Sequence, residues 1–202
     1  RPALQHLPPR SGLARTLGVT GRHGLTIANA VARTCLAALL AIASSAFAAD
    51  ARISLPSGGA LVLPMPEGWR SGTEPGPVPT LSLTPASGAA FHVLVSPLVS
   101  RDGRVGTSST ESLRQLVASG AESARAQAVE KSIPIQDLKA PNIEGAYFSA
   151  TDRAPKAGEF KYLTQGAMSV SGLPVTFTIL TNDNSKSAEG AAMRMLRSAR
   201  RE

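Results

Sequence analysis

Apolar residues recur at every second position through the last third of the chain, most clearly between residues 160 and 180. Pairing Val170 with Leu173 across Ser171-Gly172 sets a two-residue hairpin, where glycine tolerates the positive φ such turns require. Met168 then faces Val175, Gly166 faces Phe177 and Thr164 faces Ile179. Side chains alternate across a strand, so Met168, Val170, Val175, Phe177 and Ile179 share one side, extended backwards by Phe160 and Tyr162. Gly166 leaves room for the Phe177 ring over bare backbone. Lys161, Gln165, Ser169, Thr176 and Thr178 take the other face, which is expected to be wet. This alternation reads as a core-forming hairpin rather than a functional stripe. Pro174 cannot donate to a ladder, so its nitrogen must point away from the partner strand.

The same period appears earlier. Residues 52–55 and 60–63 flank Pro56-Ser-Gly-Gly59 as a small hairpin, and the prolines at 64 and 66 are expected to end its second strand. Trp69, the only tryptophan, reads as an anchor at the edge of the core. Residues 71–79 read as a surface loop, 81–83 and 91–95 as strands, and 100–107 as a polar loop. A helix follows. Ser108-Ser-Thr-Glu111 fits a capping box, and Leu113, Leu116, Val117, Gly120, Ala121, Ala124 and Ala128 recur at three- and four-residue steps on one face. The small residues of its second half imply close packing on a sheet. After Pro134 the strand pattern resumes at 135–138 and 144–151. Asn182-Asp-Asn-Ser185 caps a last helix with Ala188, Ala192, Leu196 and Ala199 on one face and Met193 and Met195 at its borders. Arg194, Arg197, Arg200 and Arg201 crowd its C-terminal half, where cations suit the negative end of the helix dipole.

Hairpin-linked strands with two helices inserted imply an α+β fold, an antiparallel β-sheet with two packed helices. The Pro66-Glu-Gly-Trp69 element, the central helix, the long hairpin ending Thr176-Phe-Thr-Ile-Leu180 and the closing Met195-Leu-Arg-Ser-Ala-Arg200 together resemble the PsbP/Mog-like family. The resemblance covers most of residues 52–200 and implies an α/β/α sandwich. It rests on element order and hydrophobic positions. Members of that family include extrinsic subunits of the photosynthetic oxygen-evolving complex, a Ran-GTPase-binding protein and many bacterial exported proteins. No functional residue carries over, because no binding motif matches residue by residue.

The N-terminal part has a different pattern. Residues 1–24 show no hydrophobic period and read as an untranslated or disordered extension. Residues 25–48 read as a signal peptide: arginines at 22 and 33, an apolar run over 35–43, and a small-x-small cleavage signal at Ala46 and Ala48. The run is too short to span about 30 Å of hydrocarbon, so no transmembrane segment is expected after cleavage. Cys35 lacks the Leu-x-x-Cys pattern of a lipoprotein box. A single globular domain over residues 49–202 remains.

Cleavage changes the charge. Of 21 basic residues, five precede residue 49 and none of the 14 acidic ones does, so the net charge falls from +7 to +2. The basic balance is therefore no argument for nucleic acid. Arginine outnumbers lysine 16 to 5 and alanine is abundant, which points to a GC-rich Gram-negative bacterium and a periplasmic location.

Candidate chemistry is sparse. The only cysteine leaves with the signal, which removes disulfides, thiolate metal sites and a cysteine nucleophile. His92 is the one histidine after residue 48, and a zinc site needs several such ligands. Neither a Gly-x-Ser-x-Gly elbow nor a phosphate or dinucleotide fingerprint occurs. No cofactor is expected. The favoured reading is a non-catalytic binding or accessory module for a protein or envelope component. Its alternative is a hydrolase using His92 with a nearby serine or carboxylate. A third reading has Arg197, Arg200 and Arg201 binding an anionic lipid or polymer, and Trp69 and His92 are the other surface candidates.

Overall fold

The computed structural model describes residues 47–202, apart from 77, 87–89, 101–103, 107, 184 and 185. The expected extension and residues 25–46 of the expected signal peptide, Ala46 among them, lie outside the described residues, while its last two residues open β1. Among these, ten strands and two helices alternate as β1 Phe47–Ser54, β2 Ala60–Pro66, β3 Trp69–Glu74, β4 Thr80–Pro85, β5 Phe91–Pro97, α1 Thr110–Arg125, β6 Gln136–Ala140, β7 Ile143–Thr151, β8 Tyr162–Val170, β9 Leu173–Thr181, α2 Lys186–Arg197 and β10 Arg200–Arg201. The fold is mixed α+β. Its strands form a seven-stranded sheet, ordered β3-β4-β5-β9-β8-β7-β6, and a three-stranded one, ordered β1-β2-β10. All the named strand pairs are antiparallel.

The β8–β9 hairpin is the centre of the larger sheet, in the register its apolar alternation demands. Val170 pairs with Leu173, Met168 with Val175, Gly166 with Phe177 and Thr164 with Ile179. The turn residues Ser171 and Gly172 have φ of 48° and 81°, the two positive values of a type I′ turn. A Cβ on Gly166 would overlap the Phe177 ring and stand 2.6 Å from the Ala146 carbonyl oxygen, so only glycine fits beneath that ring.

One face of this sheet is sealed. Leu83, Val93, Phe177, Ile179, Met168 and Leu138 point from it into a core closed by Leu61 and Leu63 of β2 and by Met195 and Leu196 of α2. Complete burial of a side chain of this size contributes about 1.5–3 kcal/mol, which makes this layer the main source of stability. Met193 and Met195 are both buried here rather than at the helix borders.

The opposite face is only half covered. Leu113, Val117 and Ala121 of α1 pack on Ala146, Phe148 and Ala150 of β7 and Ala167 of β8. Gly120 brings the helix down: a Cβ there would stand 3.2 Å from the Phe148 ring. On the hairpin face expected to be wet, α1 buries Ala167, while Lys161, Gln165, Ser169, Thr176 and Thr178 stay half-buried. Phe160 precedes β8 and lines a groove with Ala128, Leu163 and Leu180 on this side, instead of extending the sealed face.

Five further expectations are corrected. β2 runs through both prolines, because Ala60 exchanges both its hydrogen bonds with Glu202, so even-numbered residues point towards β10. β10 pairs only with Val62 and Leu61, and the missing donors of Pro64 and Pro66 therefore face no strand. Of the loop expected over 71–79, residues 71–74 belong to β3, an edge strand paired with β4 and exposed from Arg70 onwards. The helix cap is Ser109 rather than Ser108, its Oγ accepting from the Ser112 amide at 3.1 Å. α1 stops at Arg125, so Ala128 lies beyond the helix, and Leu116 is 47% exposed rather than part of the packed stripe. Arg200 and Arg201 belong to β10 and not to the last helix.

Candidate functional site

Register places the candidate residues. On β5, Phe91, Val93 and Val95 point into the sealed core, so His92, Leu94 and Ser96 take the other face. Thr80 and Ser82 of β4 and Thr176, Thr178 and Leu180 of β9 join them, all half-buried. This is the part of the sheet that α1 does not reach. Cross-strand polar pairs run over it, Thr80 with Ser96 at 2.7 Å and Ser82 with His92 at 2.5 Å. Between this face and α1 lies a groove of about 270 Å³, lined by Leu116, Val117, Gly120, Phe148, Gln165 and Thr176.

His92 is thus brought to both a serine and a carboxylate. Ser82 Oγ lies 2.5 Å from His92 Nε2, and Glu74 Oε1 lies 4.0 Å from the same nitrogen. A Ser–His–acid relay needs serine and carboxylate on opposite ring nitrogens, the acid fixing the tautomer that accepts the serine proton. Here both approach Nε2, so Glu74 competes with Ser82 for one atom. The group is also shallow, with His92 27% and Glu74 47% exposed. Among the described residues, no three His, Cys, Asp or Glu side chains gather to hold a metal ion.

Trp69 opens β3, where its ring meets Phe91 edge-on at 5.3 Å and packs against the sealed core. That is a structural contact at the sheet edge. The C-terminal arginines separate. Arg200 pairs with Asp50 at 2.6 Å and Glu202 at 2.9 Å, and Glu202 also binds Arg52 at 2.6 Å. Asp50 and then Glu202 raise the Arg200 guanidinium pKa, while Arg52 and then Arg200 lower that of the Glu202 carboxyl. Arg200 therefore helps tie the last strand to β1, whereas Arg197 and Arg201 project from the surface. Ala48 lies in β1 at an irregularity in pairing, and the regular ladder with β2 starts at Ala49.

The Ser82–His92–Glu74 group was not legible from the sequence as a group, since its members come from three strands. The signal that could have found it is the β4–β5 register: with Leu83 opposite Val93, Ser82 and His92 fall on one face as diagonal neighbours. Among the described residues no helix is long and apolar enough to cross a membrane. No protein-family model matches the chain, and no curated protein sequence matches it.

Proposed function

We propose that this chain is an exported, non-catalytic accessory module of PsbP-like α/β/α sandwich architecture that docks a protein partner in a Gram-negative periplasm. The half of the large sheet that no helix covers among the described residues is the observation that carries this reading. It mixes hydroxyl groups with the half-buried Leu94 and Leu180 and borders the exposed Leu116. A broad, mixed surface of that kind suits a protein partner better than a small molecule, which needs enclosure. Export is supported by the pairing of β1: cleavage after Ala48 would leave Ala49, where the regular ladder begins, as the first residue.

The experiment is a recovery of crosslinked complexes from envelope extract with the wild-type chain and with Leu94→Lys. A partner recovered with the first and lost with the second upholds the reading, while recovery that ignores the substitution contradicts it. The 2.5 Å contact between Ser82 and His92 favours hydrolysis as the second reading. An ester or amide substrate turned over by wild type and spared by His92→Ala would establish it.

A further inference from the structure

The sealed face of the large sheet opens at one end, where β7, β8 and β9 run out beside the start of α2. A cleft of about 160 Å³ lies there, lined among others by Ser149, Tyr162, Thr164, Thr181, Asp183 and Glu189. Its hydrogen-bond directions follow from counting protons. Thr164 Oγ1 has one proton, and it goes to Glu189 Oε1 at 3.1 Å, because a carboxylate only accepts. Ser149 must then donate to Thr164, 2.8 Å away. Tyr162 donates its hydroxyl proton to Asp183, which also binds Lys161 at 3.0 Å. The lone pairs of Ser149 and Tyr162 and the second oxygen of Glu189 remain, and all of them are acceptors.

Thr181 stands apart from this network. It is 6% exposed, it lines the cleft, and its side chain lies on the same sheet face as Tyr162, its cross-strand partner. Its hydroxyl makes no hydrogen bond within the described residues, whereas Thr164, equally buried, makes two. A buried hydroxyl without a partner is rare in a folded protein and calls for an explanation.

We propose that the cleft holds a primary ammonium group, the end of a lysine side chain on another protein or of a free aliphatic amine. An ammonium carries three donors and no acceptor, which complements the lone pairs left on Thr181, Ser149 and Glu189. Glu130, Asp183 and Glu189 surround the cleft with negative charge, which Lys161 only partly offsets. Hydrogen bonds from Tyr162 and then Lys161 hold the Asp183 carboxyl below its ordinary range, so it is ionised at neutral pH. The carboxylates do not converge as metal ligands do. Glu189 also suits the positive end of α2, in whose first turn it lies, but that explains nothing about Thr181.

Calorimetric titration of the full chain tests this with 1,5-diaminopentane, acetyl-Gly-Lys-Gly-amide and, as an uncharged control, 1,5-pentanediol. The expected result is saturable binding of at least one amine and none of the diol. Loss of one charge-assisted hydrogen bond should weaken it about tenfold in Glu189→Gln and in Thr181→Val, while Thr181→Ser retains it. The peptide binding more tightly identifies a protein lysine, the diamine a free amine, and either order upholds the site. Absence of saturation by both amines overturns it, as does binding that survives both substitutions. A thermal melt of Thr181→Val gives a second check: it should be at least as stable as wild type, and a lower melting temperature would mean that the hydroxyl has a partner inside the fold. The site lies on the face opposite the docking surface, so failure of either leaves the other standing.

Discussion

Towards β1, β2 and α2 the large sheet presents Leu, Val, Ile, Phe and Met, none of the named core side chains more than marginally exposed. Towards α1 it presents Ala146, Ala150 and Ala167 around the single ring of Phe148. The first layer is thick and covered by a second sheet and a helix, and it is open at the cleft beside the start of α2. The second is thin, because small residues let one helix lie close, and that helix is too narrow to cover seven strands. An α-helix is about 10–12 Å across, little more than two strand spacings. Among the described residues, β4, β5 and β9 consequently keep an open surface on that side. The thick core and the proposed docking surface thus lie on opposite faces of one sheet.

Core truncations break this comparison most sharply. Phe177→Ala should cost about 3–5 kcal/mol in a denaturant melt, since it removes a ring packed over Gly166 in the sealed layer. Leu113→Ala, the matching change beneath α1, should cost about 2–3 kcal/mol, near the lower end for such truncations, because its partners are few. Equal losses would mean that the two layers contribute alike. Ser109→Ala should cost about 1 kcal/mol by freeing the Ser112 amide, and should leave the sealed layer intact by near-ultraviolet circular dichroism.

Glu130 offers a test by pH. It sits where the chain after α1 meets the end of β7, accepting from the Thr151 amide at 2.9 Å and the Thr151 hydroxyl at 2.6 Å. Burial pushes its carboxyl up, but those bonds outweigh burial and hold it below its ordinary 4.5. A depressed carboxyl stabilises the fold above its unfolded pKa, and that contribution is lost as pH falls through the folded one. Melting temperature should therefore drop on acidification below about pH 4.5, and less steeply in Glu130→Gln. The smallest effect is expected for Leu116→Lys, within about 0.5 kcal/mol of wild type, because this leucine faces water.

How far the sequence showed this division depended on burial. The β8–β9 register could be read because Met168, Val170, Val175, Phe177 and Ile179 are all buried, and burial imposes the period of two. β3 escaped because an exposed edge strand, Trp69-Arg-Ser-Gly-Thr-Glu74, has no face to keep apolar. β10 escaped for a related reason, as two arginines after a helix look like its basic end until a partner strand claims them. Leu116 fits the helical period and yet stays exposed, since the pattern names a stripe but not how much sheet lies beneath it. The open face and the ammonium cleft draw residues from three or more elements each, so no local spacing could announce them.

A photo-crosslinking residue placed at Thr178, on the open half of the sheet and opposite Leu94 in register, tests docking on that face most directly. In cells that export the chain, one reproducible partner adduct is expected at Thr178, absent from the same probe at Ser54 of β1 and lost when Leu94 becomes Lys. Adducts of equal yield at both positions, or an adduct at Thr178 indifferent to Leu94→Lys, would contradict it.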